Sequence, residues 1–208
     1  MKYKYIFFDF DGTIADTEKI NFKIFEQLAD KYKIKRISYD DLINLKKMSA
    51  KQVIDYLNIK KHRIPFILRR GRKLLRQNIN KVELCKDNLV DTINTLRENG
   101  VKVAIITTNS KYNVNTFLQN HRFNIFDYII STSLFGKEHK IKKIIKKEGL
   151  EPQEVLYVGD EIRDIVAAKS SNIKIASVAW GYNTVDSLLK HKPDYILNDP
   201  SQLINICI

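Results

Sequence analysis

Apolar positions along this chain follow two different rhythms. Tyr5-Ile6-Phe7-Phe8 is apolar without polar alternation, the pattern of a strand covered on both faces, as in a parallel sheet. From Thr17 to about Leu84 the spacing turns helical: Ile20, Ile24, Phe25, Leu28 and Tyr32 share one face up to about Lys33. A second helix is predicted from Ser38, with Asp41 as its capping-box partner. The pattern breaks at Lys46-Lys47-Met48-Ser49 and resumes through Val53, Ile54 and Leu57. A third helical stretch, about Pro65 to Asn78, carries Arg69, Arg70, Arg72, Lys73 and Arg76 on a strongly basic surface. No strand is predicted inside this block.

From Asp87 onward helix and strand alternate. Helices are predicted at about Asp87 to Asn99, Lys111 to Gln119, Glu138 to Glu148 and Ile162 to Ser171. Strands are predicted at Val101 to Thr107, Tyr128 to Ser131, Val155 to Val158 and Ile173 to Val178, followed by the apolar pair Tyr195-Ile196 and a short final helix. Gly100 and Gly149 stand where left-handed helix caps are needed. Such alternation implies an α/β fold, a doubly wound parallel sheet, into which the helical block from Thr17 to Leu84 is inserted.

Chemistry enters where apolar strands end. The first strand runs into Asp9-Phe10-Asp11-Gly12, and ligand sites of parallel sheets lie beyond the carboxyl ends of strands. An EF-hand loop also opens on two spaced acids, but Ile14 and Ile20 stand where it needs Gly and Glu. A second apolar strand releases into Thr107-Thr108-Asn109-Ser110, where hydroxyls and a helix start offer donors to an anion, or simply cap the helix. A third ends in Gly159-Asp160-Glu161-Ile162-Arg163-Asp164. Two strand-to-acid transitions in one chain exceed what folding requires.

The run Asp9-Phe10-Asp11-Gly12-Thr13-Ile14-Ala15-Asp16-Thr17 resembles the first motif of the haloacid dehalogenase-like (HAD) hydrolases, in their phosphatase branch. Thr108 and Asn109 match its second motif and Gly159-Asp160 its fourth, while Trp180-Gly181-Tyr182-Asn183 and Lys192-Pro193-Asp194-Tyr195 are similar to the later part of phosphoglycolate-phosphatase-like members. The resemblance implies a Rossmann-like core, residues 1–16 and 85–208, with residues 17–84 as a helical cap. It implies Asp9 as nucleophile, forming an aspartyl-phosphate, and Asp11 as general acid and base. Thr108, the main chain near Asn109, and Gly12 would hold the substrate. Lys137 is the expected lysine that neutralises phosphoryl charge; Lys140 is the alternative, since the family's Lys-Pro is absent. Magnesium is the implied cofactor, on Asp9, Asp160 and the Asp11 main-chain carbonyl, with Asp164 acting from the next layer out. Asp11 also argues against the dehalogenase branch, which is expected to lack the second acid.

Composition changes this picture little. With 36 basic and 24 acidic residues the chain carries +12, which suits an anionic substrate and leaves nucleic acid a minority reading, because no basic stretch carries an RNA-binding aromatic motif. Cys85 and Cys207 form no metal or disulfide pattern, and no run suggests a signal peptide or a membrane span, so a soluble cytoplasmic protein, monomer or homodimer, is expected. His62, His121, His139 and His191 make no ligand pair and are expected on the surface or in packing. The expected activity is a magnesium-dependent phosphatase acting on a small phosphorylated metabolite, phosphoglycolate-like or a sugar phosphate. A phosphomutase of the β-phosphoglucomutase kind is the nearest alternative, and a non-catalytic polyanion-binding module the more distant one.

Overall fold

The computed structural model describes residues 2–208. In chain order the elements are β1 (Tyr5–Phe8), β2 (Ala15–Asp16), α1 (Glu18–Tyr32), α2 (Tyr39–Leu45), α3 (Ala50–Tyr56), α4 (Ile64–Arg76) and β3 (Glu83–Leu84). They continue as α5 (Leu89–Glu98), β4 (Lys102–Thr107), α6 (Lys111–Asn120), β5 (Tyr128–Ser131), α7 (Lys137–Glu148) and β6 (Val155–Gly159). The chain closes with α8 (Ile162–Ser170), β7 (Lys174–Val178), α9 (Val185–Lys190), β8 (Tyr195–Leu197) and α10 (Gln202–Cys207). The alternation predicted from Asp87 is borne out, as are the left-handed Gly100 (φ +85°) and Gly149 (φ +63°) and the Ser38–Asp41 capping box.

Six strands form one sheet in the order β5-β4-β1-β6-β7-β8, every pair parallel. The chain fills one side of β1 with β4 and β5, then returns to fill the other with β6, β7 and β8. This reversal puts β1 between β4 and β6, so a crevice opens at the carboxyl ends of these three strands. Register fixes the match: Phe8 pairs with Ile105 on one side and Val158 on the other. The lack of alternation in β1 has its expected cause, for Tyr5, Ile6, Phe7 and Phe8 are all buried. Ile6 and Phe8 join the core on one face of the sheet, Tyr5 and Phe7 the core on the other. Each such side chain contributes about 1.5–3 kcal/mol of burial, so the strand carrying the first acids is firmly held.

The block from Thr17 is helical as expected, with one correction. Glu83–Leu84 is a strand, paired antiparallel with Ala15–Asp16 through Ala15↔Leu84 and Asp16↔Glu83. Two residues are too few to show a period, and this strand is stabilised by its partner across the base of the block. α1 to α3 share a small core of Ala29, Ile34, Leu45 and Leu57, whereas Ile24, Leu28 and Leu75 join the larger core beside the sheet. No helix is long and apolar enough to cross a membrane among the described residues. Cys85 and Cys207 are free.

Candidate active site

Asp9 follows β1 directly, its N–H donating to the Val158 carbonyl at 2.8 Å, which ties the residue to β6. Its Oδ1 accepts from the Phe10 N–H at 2.7 Å. Its Oδ2 lies 2.6 Å from Lys137 Nζ and 4.0 Å from Arg163 Nη2. Lys137 Nζ also donates to Asp164 Oδ1 at 2.5 Å, so one buried ammonium stands between the two carboxylates. Asp9 Oδ2 is thus a buried carboxylate oxygen held against a cation.

Asp160 follows β6 and is clamped from both ends: Oδ1 accepts from the Thr13 hydroxyl and Oδ2 from the Tyr182 N–H, each at 2.8 Å. The clearance around it requires glycine. A Cβ at Gly12 would lie 2.3 Å from Asp160 Oδ2, and φ there is +79°, so position 12 is closed to a side chain on both counts. Asp164 is buried on the first turn of α8, where its Oδ2 accepts from the Glu161 N–H at 3.1 Å.

Asp9, Asp160 and Asp164 each present one carboxylate oxygen within 4.8 Å of the others. Burial above all pushes Asp9 up to about 7, with Lys137 opposing and Asp164 reinforcing. Asp160 is raised well above the usual carboxylate range by burial, then by Glu161 and Asp9. Three crowded carboxylates, two of them with pKa values raised by burial, offer only oxygen donors and fit a hard divalent cation. Asp11 is turned elsewhere. Its Oδ1 accepts from the Thr17 hydroxyl at 2.9 Å, and Asn109 Nδ2 lies 3.1 Å from both carboxylate oxygens. Of the four acids named from the sequence as metal-binding, the side chains of three converge, and that of Asp11 does not. Its own carboxyl is raised by burial, against the pull of Thr17 and Asn109.

Thr108 and Asn109 line a cavity with Asp11. The main chain of this loop is less available than expected: the Asn109 N–H is taken by Thr107 Oγ1 at 2.9 Å and the Ser110 N–H by Asn109 Oδ1 at 2.8 Å. The Gly12 N–H goes to the Ala15 carbonyl at 2.9 Å. Lys137 is buried between two acids, while Lys140 is half-buried on a separate cavity wall. Trp180 packs on the core and donates to the Thr13 carbonyl at 3.2 Å. His121 stacks on Phe117 with a ring nitrogen 2.9 Å from the Val82 carbonyl.

Sequence reasoning missed three participants. Arg163 is buried beside Asp9 and pairs with Glu161. Tyr182 places its hydroxyl 2.8 Å from Thr17 Oγ1, and Asn21 Nδ2 donates to that hydroxyl at 2.8 Å, so a chain of hydroxyls ends on Asp11. Arg163 was visible as a cation inside an acidic run, and Tyr182 stood in the family-like run Trp180–Asn183 without a role; Asn21 left no local signal.

A family model of the haloacid dehalogenase-like hydrolases matches residues 6–178. The chain belongs to this family. As a haloacid dehalogenase-like hydrolase it is 27% identical over 201 residues to a phosphoglycolate phosphatase of Synechococcus elongatus, covering 96% of this chain and 94% of that one. It is 26% identical over 207 residues to a pyrophosphatase PpaX of Anoxybacillus flavithermus, covering 97% and 95%. The fold is shared with a protein from Haemophilus somnus described as a predicted phosphoglycolate phosphatase, with a TM-score of 0.78 at 21% identity over 100% of this chain and 99% of that one. A protein from Clostridium acetobutylicum described as a predicted phosphatase gives a TM-score of 0.83 at 19% identity, over 99% and 98%.

Proposed function

We propose that this hydrolase is a magnesium-dependent phosphatase of small phosphorylated metabolites, working through an aspartyl-phosphate on Asp9. The coarse part, hydrolysis of phosphoric monoesters, is what family and relatives support. The finer part rests chiefly on Asp9, whose buried Oδ2 lies 2.6 Å from Lys137 Nζ and whose carboxylate converges with those of Asp160 and Asp164.

Asp9 attacks phosphorus, and the ester oxygen leaves as Asp11 gives it a proton. Water then attacks the phosphorus of the aspartyl-phosphate as Asp11 takes a proton back, releasing inorganic phosphate and restoring both carboxyl groups. Burial raises the pKa of Asp11, the direction a proton donor needs. Asn109 and Thr17 hold this carboxyl in place while Asp9 reacts. Lys137 offsets charge growing on the phosphoryl oxygens, and Thr108 adds a hydroxyl donor from the loop after β4. Asp9, Asp160 and Asp164, with the Asp11 main-chain carbonyl, would hold the magnesium ion, which supplies charge neutralisation to the phosphoryl group.

Residues 17–84 act in this reading as a cap on a core of residues 1–16 and 85–208. The small core of α1 to α3 supports that division. So does a polar seam at its edge, where the Lys46 carbonyl accepts from Asn183 Nδ2 at 2.7 Å and the Thr184 N–H at 3.0 Å. The test is release of inorganic phosphate from a panel of phosphomonoesters, with and without magnesium, by the wild type and Asp9→Asn. Release that needs both magnesium and Asp9 is expected. Equal turnover by the variant would remove the nucleophile, and isomerisation of a sugar phosphate without phosphate release would make the enzyme a mutase.

A further inference from the structure

The basic face of α4 takes no part in the acid cluster. Nine lysines and arginines stand between Tyr56 and Val82, with no aspartate or glutamate among them. α4 packs Ile67, Leu74 and Leu75 on the core, while Arg69, Arg70, Lys73 and Arg76, spaced to share the opposite side of the helix, are exposed. None of these four pairs with a carboxylate among the described residues. Like charges three and four residues apart destabilise a helix, so the free protein carries a repulsion that a bound anion would relieve.

Aromatic rings stand among these cations. Phe66 shares their side of α4 and is 62% exposed, and Tyr112, on the first turn of α6, is 55% exposed with the Arg76 guanidinium 4.0 Å from its ring centroid. Phe66, the four cations and Arg72 line an open depression of about 680 Å³, closed at its ends by Tyr32 of α1 and Ser110, the N-cap of α6. No linear motif marks such a surface, because Tyr32 and Tyr112 reach it from other helices.

We propose that this face of α4 binds single-stranded nucleic acid, with phosphates on Arg69, Arg70, Lys73 and Arg76 and bases stacked on Phe66 and Tyr112. This is a second function beside hydrolysis, and it stands whether or not Asp9 reacts. Cations that follow a backbone, with exposed rings between them, are what a single strand needs, since every base has a face to stack. A duplex hides those faces and an acidic peptide would use the cations alone. A membrane-surface helix needs an apolar face to bury in lipid, whereas Ile67, Leu74 and Leu75 are already spent on the core.

The experiment is fluorescence anisotropy of the full chain with a labelled oligothymidylate that has hydroxyl ends, and so offers no phosphomonoester to the acid cluster. Contacts to three or four phosphates predict a log–log salt slope of about −2 to −3. An abasic oligodeoxyribose phosphate of the same length should bind about 5- to 100-fold more weakly to the wild type, the scale of base stacking, which gives an answer without any variant. Phe66→Ala should lose a similar factor, and Arg69→Gln/Arg70→Gln/Lys73→Gln at least about 10-fold, with melting temperatures and p-nitrophenyl phosphate turnover unchanged. Asp9→Asn should bind as the wild type does. Absence of binding, equal affinity for the abasic strand, indifference to the triple substitution, or tighter binding to the duplex or to phosphatidylserine vesicles would each overturn the assignment. So would a triple variant whose only defect is a lower kcat/KM on the small ester, which would make the patch a guide for substrate.

Discussion

Gly181 lies so close to Asp160 that a Cβ on its backbone would stand 2.1 Å from the aspartate's own Cβ. The contact is between a loop after β7 and the residue after β6, and only a residue without a side chain allows it. Gly181→Ala should displace Asp160 from the acid cluster and cost about 1–3 kcal/mol as an overpacked site. Chemical denaturation checks the stability. The stabilising shift in melting temperature on adding magnesium should shrink with it, and a full shift in the variant would show that Asp160 is not a ligand.

Asp11 and Asp9 separate by leaving group. Asp11→Asn should reduce turnover of an alkyl phosphate by about 10²–10⁴-fold, the usual contribution of a positioned acid. With p-nitrophenyl phosphate, whose leaving group needs no proton, the first step should survive and the aspartyl-phosphate should accumulate. Rapid-quench trapping of acid-stable phosphoprotein after a p-nitrophenol burst measures this; a variant losing burst and turnover alike contradicts the assigned role.

The two lysines left open by the sequence differ in the same assay. Lys137→Met should lower kcat by at least about 100-fold, since it leaves the carboxylates of Asp9 and Asp164 without their shared cation. Lys140→Met should stay within about threefold of the wild type. Reversed outcomes would reassign the role to Lys140.

Metal-free protein should lose stability as pH rises. Folding holds Asp9 near 7, and Asp160 high as well, both first through burial, whereas an unfolded aspartate titrates near ~3.9. Between those values the folded chain retains protons that the unfolded chain has released, so stability is greatest on the acid side and declines as pH climbs through about 7. In chelator the melting temperature should fall by several degrees between about pH 5 and 8, relative to an Asp9→Asn/Asp160→Asn control. Magnesium should restore it more at the alkaline end. A rise relative to that control would contradict the picture.

Much of this was legible locally. β1 announced itself because a strand buried on both faces needs an unbroken apolar run, and Tyr5 to Phe8 is one. Asp9 and Asp160 were visible because each follows such a run just where a strand must end, and Asp11 because it follows Asp9 so closely. β3 was invisible, being stabilised by its partner and not by its own pattern. Asn21 was equally silent, since an asparagine in a helix is ordinary, and Tyr182, though inside a family-like run, gave no sign of its bond to Thr17.

By itself the sequence determined most of the strands and helices, and which strand ends carry acids, because periodic burial and turn residues act within one element at a time. The tertiary structure alone decided which ends meet. Strand order brings β6 beside β1 and so Asp160 toward Asp9, α7 delivers Lys137 between two acids, and α4 carries Arg72 to the cavity of Asp11. These contacts join residues far apart in the chain, and their energies depend on distance in space, which no local pattern encodes.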